Sequence, residues 1–127
     1  MILVIEDNQK MVASMQRIFG GWGWDEKVLF DSPTTAAEAI VCLTAIKPEI
    51  LCLDMNFTEE NLQEGIEVAQ WIEQNLPETL VLSISASSAE YSRECYAWLD
   101  CVKHFPGKDP FKIRKCIEGN CVCQSEG

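Results

Sequence analysis

The chain lacks any run of eighteen apolar residues, which excludes a bilayer-crossing helix and argues against a membrane partner. No basic segment precedes the apolar stretch that begins at Met1. No secretory signal is therefore read, and a cytoplasmic protein is expected. Positive charge is scarce: ten Lys and Arg stand against twenty Asp and Glu, for a net charge of −10. Such a chain repels the nucleic-acid backbone, so direct binding to nucleic acid is not expected. The acid excess suits a domain that gathers carboxylates around a cation, or one that meets a basic partner. There is one histidine, His104, so a zinc site would have little nitrogen to draw on. Repeats, linkers and low-complexity segments are absent.

Cysteine is not scarce, but its number is odd. Cys42, Cys52, Cys95 and Cys101 lie within apolar segments and read as reduced core thiols. Cys116, Cys121 and Cys123 form a C-x4-C-x-C pattern that matches no zinc spacing and reads as a frayed, thiol-bearing tail.

The 127 residues, 47% of them apolar, suffice for one domain with a single core. Ile50-Leu51-Cys52-Leu53 is a short unbroken apolar run that ends on Asp54. That pattern fits a strand buried on both faces of a parallel sheet, with the acid emerging at its carboxyl end. Met1 to Ile5 reads as a second central strand ending in Glu6-Asp7-Asn8. Gln9 to Phe19 has helical spacing and stops at Gly20-Gly21. Lys27 to Phe30 is a short edge strand. Ser32-Pro33 and the Thr35-x-x-Glu38 capping box open a second helix, with Ala36, Ala37, Ile40, Val41 and Thr44 on its inner face and Pro48 as its stop. Residues 55–64 form a polar loop. Leu62, Ile66, Ala69, Ile72 and Leu76 trace a third helix, and Leu80 to Ser85 a fourth strand. Ser87-x-x-Glu90 opens a helix to about Leu99. Cys101 to Phe105 is a fifth strand, and Asp109-Pro110 caps a last helix to Glu118. Trp22, Trp24, Trp71 and Trp98 read as core or part-buried anchors.

Five alternating β-α units predict a doubly wound α/β fold, a five-stranded parallel sheet with helices on both faces. If the first and third strands are neighbours, Glu6, Asp7 and Asp54 share one cleft. Three carboxylates that close repel one another, and a hard cation bound by oxygen, Mg²⁺ or Mn²⁺, relieves the repulsion.

The run Ile2 to Asn8, the run Ile50 to Asp54, Gly65, Ser85-Ala86 and Lys108-Asp109 together resemble the receiver domain of two-component response regulators, of the single-domain, chemotaxis-regulator kind. The resemblance spans residues 1–119 and leaves 120–127 as a tail. It implies a flavodoxin-like sheet in the order 2-1-3-4-5. It implies that Asp54 accepts a phosphoryl group from a histidine kinase or phosphotransfer protein, and that a downstream protein reads the result. Asp7 would bind the metal directly, Glu6 mainly through water, and the main-chain carbonyl of Asn56 would complete the protein ligands. Ser85 and Lys108 would contact phosphoryl oxygens, and Phe105 would be the aromatic switch, biasing a surface around the fourth helix and fifth strand. Such a domain is a phospho-acceptor and not an enzyme, beyond slow self-catalysed phosphorylation and dephosphorylation. Lys103 competes with Lys108 for the lysine role; Lys108 is preferred because it precedes a helix start and puts Phe105 in place.

The chain also departs from that pattern. The Asp54 to Gly65 segment is longer than usual, and Thr58 stands where proline is common. These departures support the alternative, a receiver-like interaction module that is not phosphorylated. An aspartate-nucleophile phosphatase would want a second acid at position 56, where Asn56 cannot supply the proton. A flavin phosphate would be repelled by Glu6-Asp7.

Overall fold

The computed structural model describes residues 1–54, 63–84 and 102–119. Nine elements lie within them: β1 (Ile2–Ile5), α1 (Gln9–Gly21), β2 (Val28–Asp31), α2 (Ala36–Ile46), β3 (Ile50–Leu53), α3 (Gln63–Asn75), β4 (Leu80–Ser83), β5 (Val102–His104) and α4 (Pro110–Ile117). The helix expected after Ser87 lies outside the described residues, as do positions 55–62 of the expected 55–64 loop and the tail beyond 119, while Gln63 and Glu64 of that loop already belong to α3. Among the described residues, no helix is long and apolar enough to cross a membrane.

The apolar runs become strands because both faces of the sheet are covered. The strands lie in the order β2-β1-β3-β4-β5, all parallel. Alternate side chains point to opposite faces. Leu3, Ile5, Leu51, Leu53 and Val81 pack against Ala36, Ala39 and Leu43 of α2 and Val68, Ala69 and Ile72 of α3. On the other face Ile2, Val4, Cys52 and Leu82 meet Met15 and Phe19 of α1 and Ile113 and Cys116 of α4. The winding reverses between β1 and β3, the place where doubly wound sheets open a crevice at their carboxyl rim.

Local chemistry sets the helix starts. Asn8 caps α1 by accepting from Met11 N–H at 3.1 Å, and Thr35 caps α2 by accepting from Glu38 N–H at 3.2 Å. Asp109 caps α4 with Pro110 in its first turn.

Several expectations are corrected. The capping box is half realised: the Glu38 carboxylate accepts from Thr34 N–H and hydroxyl, not from Thr35 N–H. Helix α1 runs through Gly20 and Gly21, and the left-handed turn falls on Gly23 (φ 81°). Helix α2 ends at Ile46 on a left-handed Lys47 (φ 50°), one residue ahead of Pro48. Strand β2 lies one residue later than expected, and β4 ends at Ser83. The buried side of α2 is Ala36, Ala39 and Leu43; Ala37 and Thr44 are exposed and Val41 is 69% exposed. With Glu38 its one charged residue, α2 is apolar nearly all round, so periodicity could not orient it. Cys116 is buried and disulfide-bonded, not a free thiol of a frayed tail. Cys42 and Cys52 are free, and burial pushes the Cys52 thiol up to about 12. As expected of anchors, Trp24 is buried and Trp22 half-buried; they meet Phe19 at tilted angles and Trp22 meets Phe111 edge-on, while Phe30 stacks on Phe19, all in one aromatic cluster.

The two faces of α2 yield a direct test. Leu43→Ala removes a fully buried side chain and should cost about 2–5 kcal/mol, whereas Val41→Ala should stay within about 0.5 kcal/mol. Urea unfolding of the two variants measures the difference; equal losses would contradict this orientation of the helix.

Candidate functional site

Strand pairing builds the site. Parallel register sets Ile5 opposite Leu53, and the ladder continues one step as Asp54 N–H donates to the Ile5 carbonyl at 3.0 Å. On the other side of β1, Glu6 N–H donates to the Asp31 carbonyl at 3.1 Å. Glu6 and Asp54 therefore leave adjacent strands at the same height. Both are buried, Glu6 fully and Asp54 to 4% exposure, while Asp7 is half-buried. One carboxylate oxygen from each of Glu6, Asp7 and Asp54 lies within 4.8 Å of the others.

Lys108 answers this negative charge. Its ammonium stands 3.0 Å from Glu6 Oε1, donates to Glu6 Oε2 at 3.1 Å, and lies 3.5 Å from Asp54 Oδ2. The chain delivers it there through a turn in which Gly107 takes a left-handed φ of 68°, and Asp109 then caps α4 through Phe111 N–H at 2.9 Å. Burial pulls the Lys108 ammonium down, but the Glu6 hydrogen bond and the charges of Asp54 and Glu6 outweigh it and hold the group above its ordinary value. Glu6 also accepts from Asn8 N–H at 3.0 Å, which ties its carboxylate to the start of α1.

One ammonium among three carboxylates leaves an excess of negative charge. The donors are all hard oxygens, with no thiol or imidazole in the group, and they are close enough to share one divalent ion. The acidic triad is thus suited to a metal of the Mg²⁺ class rather than to zinc.

Of the other expected site residues, Phe105 is buried in the core layer that α2 and α3 share. Lys103 lies on β5; its side chain, Ser85 and Asn56 all fall outside the described residues. Sequence reading missed two supports. The Ser32 hydroxyl donates to the Glu6 carbonyl at 2.7 Å and accepts from Gln9 Nε2 at 3.1 Å, linking the loops after β1 and β2. The Glu64 carboxylate accepts from Ala36 N–H at 2.6 Å, joining the starts of α2 and α3. These pairs lie more than twenty residues apart, and no local pattern announces them.

Removing the ammonium should expose the cost of crowding these acids. Lys108→Ala should lose about 3 kcal/mol near neutral pH, because two buried carboxylates are left uncompensated. In the wild type, a lysine held above its ordinary value of 10.5 contributes stability that is fully present below that pH and disappears above it. Denaturant titrations of both proteins across pH check each arm.

No protein-family model matches the sequence, and no curated protein matches it either. Solved structures do. The chain superimposes on the N-terminal domain of an uncharacterized protein from Wolinella succinogenes with a TM-score of 0.72 and 20% identity, covering 94% of this chain and 91% of that one. It matches the non-phosphorylated receiver domain of the stress response regulator RcsB from Escherichia coli with a TM-score of 0.70 and 13% identity, covering 94% of each chain. The non-phosphorylated HemR receiver domain from Leptospira biflexa matches with a TM-score of 0.69 and 16% identity, over 99% of this chain and 97% of its own. Structural neighbours across most of the chain are response regulator receiver domains, and the fold of this chain is the receiver fold.

Proposed function

We propose that residues 1–119 form a phosphorylatable receiver of a two-component phosphorelay, followed by a tail over 120–127. The observation that carries this reading is the convergence of Glu6, Asp7, Asp54 and the Lys108 ammonium at the carboxyl rim of a receiver fold. Fold likeness alone would not carry it, because one fold hosts many functions.

In this reading Asp54 is the nucleophile. A carboxylate oxygen attacks the phosphorus of a phosphohistidine on a histidine kinase or phosphotransfer protein. The O–P bond forms, the P–N bond breaks, and the imidazole departs with the donor. Lys108 already contacts Asp54 and is placed to neutralise an oxygen of the incoming group. Glu6, Asp7, Asp54 and the Asn56 main-chain carbonyl would hold Mg²⁺ or Mn²⁺, with Glu6 acting mainly through water. Bound there, the ion supplies positive charge toward the equatorial phosphoryl oxygens. The Ser85 hydroxyl would donate to another of those oxygens. Phe105, now buried, is the aromatic side chain whose rearrangement carries the change to a downstream protein. Turnover of the acyl phosphate is slow and self-catalysed, so the chain is a phospho-acceptor and not an enzyme.

Acetyl phosphate with Mg²⁺ should add one phosphoryl group to the wild type by intact-mass spectrometry and none to Asp54→Asn. Persistence of the gain in Asp54→Asn would overturn the assignment. No gain in the wild type, with no beryllofluoride binding, would favour the unphosphorylated interaction module. Lys108→Ala should still bind Mg²⁺ by calorimetry yet lose the phosphorylation-dependent partner response; a normal response would move the role to Lys103.

A further inference from the structure

Among the described residues, helix charges are divided by the sheet. On one side, α1 carries Lys10 and Arg17 and no acid, and α4 carries Lys112, Arg114 and Lys115 and no acid. On the other side, α2 carries Glu38 and α3 carries Glu64, Glu67 and Glu73, with no base on either. The two acids that cap α4 are taken up locally: Asp109 by the Phe111 and Lys112 N–H groups, and Glu118 by Arg114 at 2.9 Å. Lys10, Arg17, Lys112 and Lys115 remain exposed, as do Glu38 and Glu67 opposite. In a chain of net charge −10, a wholly basic helix pair is not a consequence of composition.

Each face also presents an apolar anchor. On the basic face Phe111 is 62% exposed, and its ring and that of Trp22 meet edge to face with centroids 5.8 Å apart. The Arg114 guanidinium lies over the same Trp22 ring at 4.6 Å. Exposed aromatics beside arginine are the composition of binding hot spots. On the acidic face Val41 is exposed at the middle of α2, flanked by exposed Ala37, Thr44 and Ala45.

We propose that this chain associates with a second copy of itself, head to tail, the α1/α4 face of one copy seated on the α2/α3 face of the next. Both complementary surfaces, a basic patch with an aromatic anchor and an acidic patch with an aliphatic one, belong to the same molecule. A nucleic acid would suit the basic face alone and would be repelled by the remaining acids. Because the two faces differ, the contact is heterologous, and it adds further copies unless the rotation closes a ring. It uses the two sides of the sheet and leaves the carboxyl rim with Asp54 open, so it stands whether or not Asp54 is phosphorylated.

Sedimentation equilibrium without reductant, which keeps the Cys116 disulfide of α4 intact, tests this, with non-reducing electrophoresis showing that no intermolecular disulfide joins the copies. At low salt the mean mass should exceed the 14.3 kDa of one chain and rise with concentration. It should fall back to one chain as the screening length drops from about 10 Å at 0.1 M salt to about 3 Å at 1 M. Lys112→Glu with Lys115→Glu cancels most of the charge of the basic face, and Glu67→Lys with Gln74→Lys cancels most of that of the acidic face, so each variant keeps one charged face that only the other variant's intact face complements. Each double variant alone should be monomeric, and an equimolar mixture should associate again, which also shows that both fold. A wild type that stays at one chain's mass throughout overturns the proposal. So does association that salt does not weaken, or a mixture that fails where the wild type succeeds.

Discussion

A single backbone hydrogen bond, from Asp54 N–H to the Ile5 carbonyl, carries the β1–β3 ladder one step past its apolar residues. That step decides how Glu6 and Asp54 stand to each other. Side chains alternate along a strand, so a slip of one residue would exchange the buried sets of the whole strand and turn the terminal acid to the other face. Register here is strongly specified, because both faces of β1 and β3 are buried and every residue of one must meet its own layer.

The site works against the stability of the fold that holds it. Three carboxylates gathered in a low-dielectric rim repel one another, and two of them are almost withdrawn from water. Lys108 offsets part of this, from the far end of the chain. Its placement relies on a glycine turn at Gly107 and a capped helix just beyond it, so the cation is positioned by backbone conformation and not by a flexible search. Two apolar layers then supply the surplus that lets such a cluster persist. The same sheet that concentrates acids at its rim keeps the basic α1 and α4 on one side and the acidic α2 and α3 on the other.

Legibility in the sequence followed the range of the interaction responsible. Asn8, Thr35 and Asp109 were readable as caps because a cap is made within three residues. The central strands were readable because burial on both faces leaves an unbroken apolar run. Helix α2 misled: nearly every residue is apolar, so no periodicity distinguished Leu43, fully buried, from Val41. Glu64 capping α2 and Ser32 holding the Glu6 carbonyl were invisible for a different reason, since each joins residues brought together only by the crossovers. Cys116 looked like part of a loose tail, yet its burial in the α1/α4 layer and its disulfide belong to the tertiary structure.

By itself, the sequence determined the alternation of strands and helices, the apolar layers and the presence of acids where strands end. These follow from hydrophobic pattern and capping chemistry, which act over a few residues. Only the tertiary structure decided which acids meet, which lysine answers them and which side of each helix faces water. Glu6 and Lys108 are separated by 102 positions and touch at 3.1 Å. A contact of that kind depends on the order and register of β1, β3, β4 and β5 together, and no short stretch of chain contains that information.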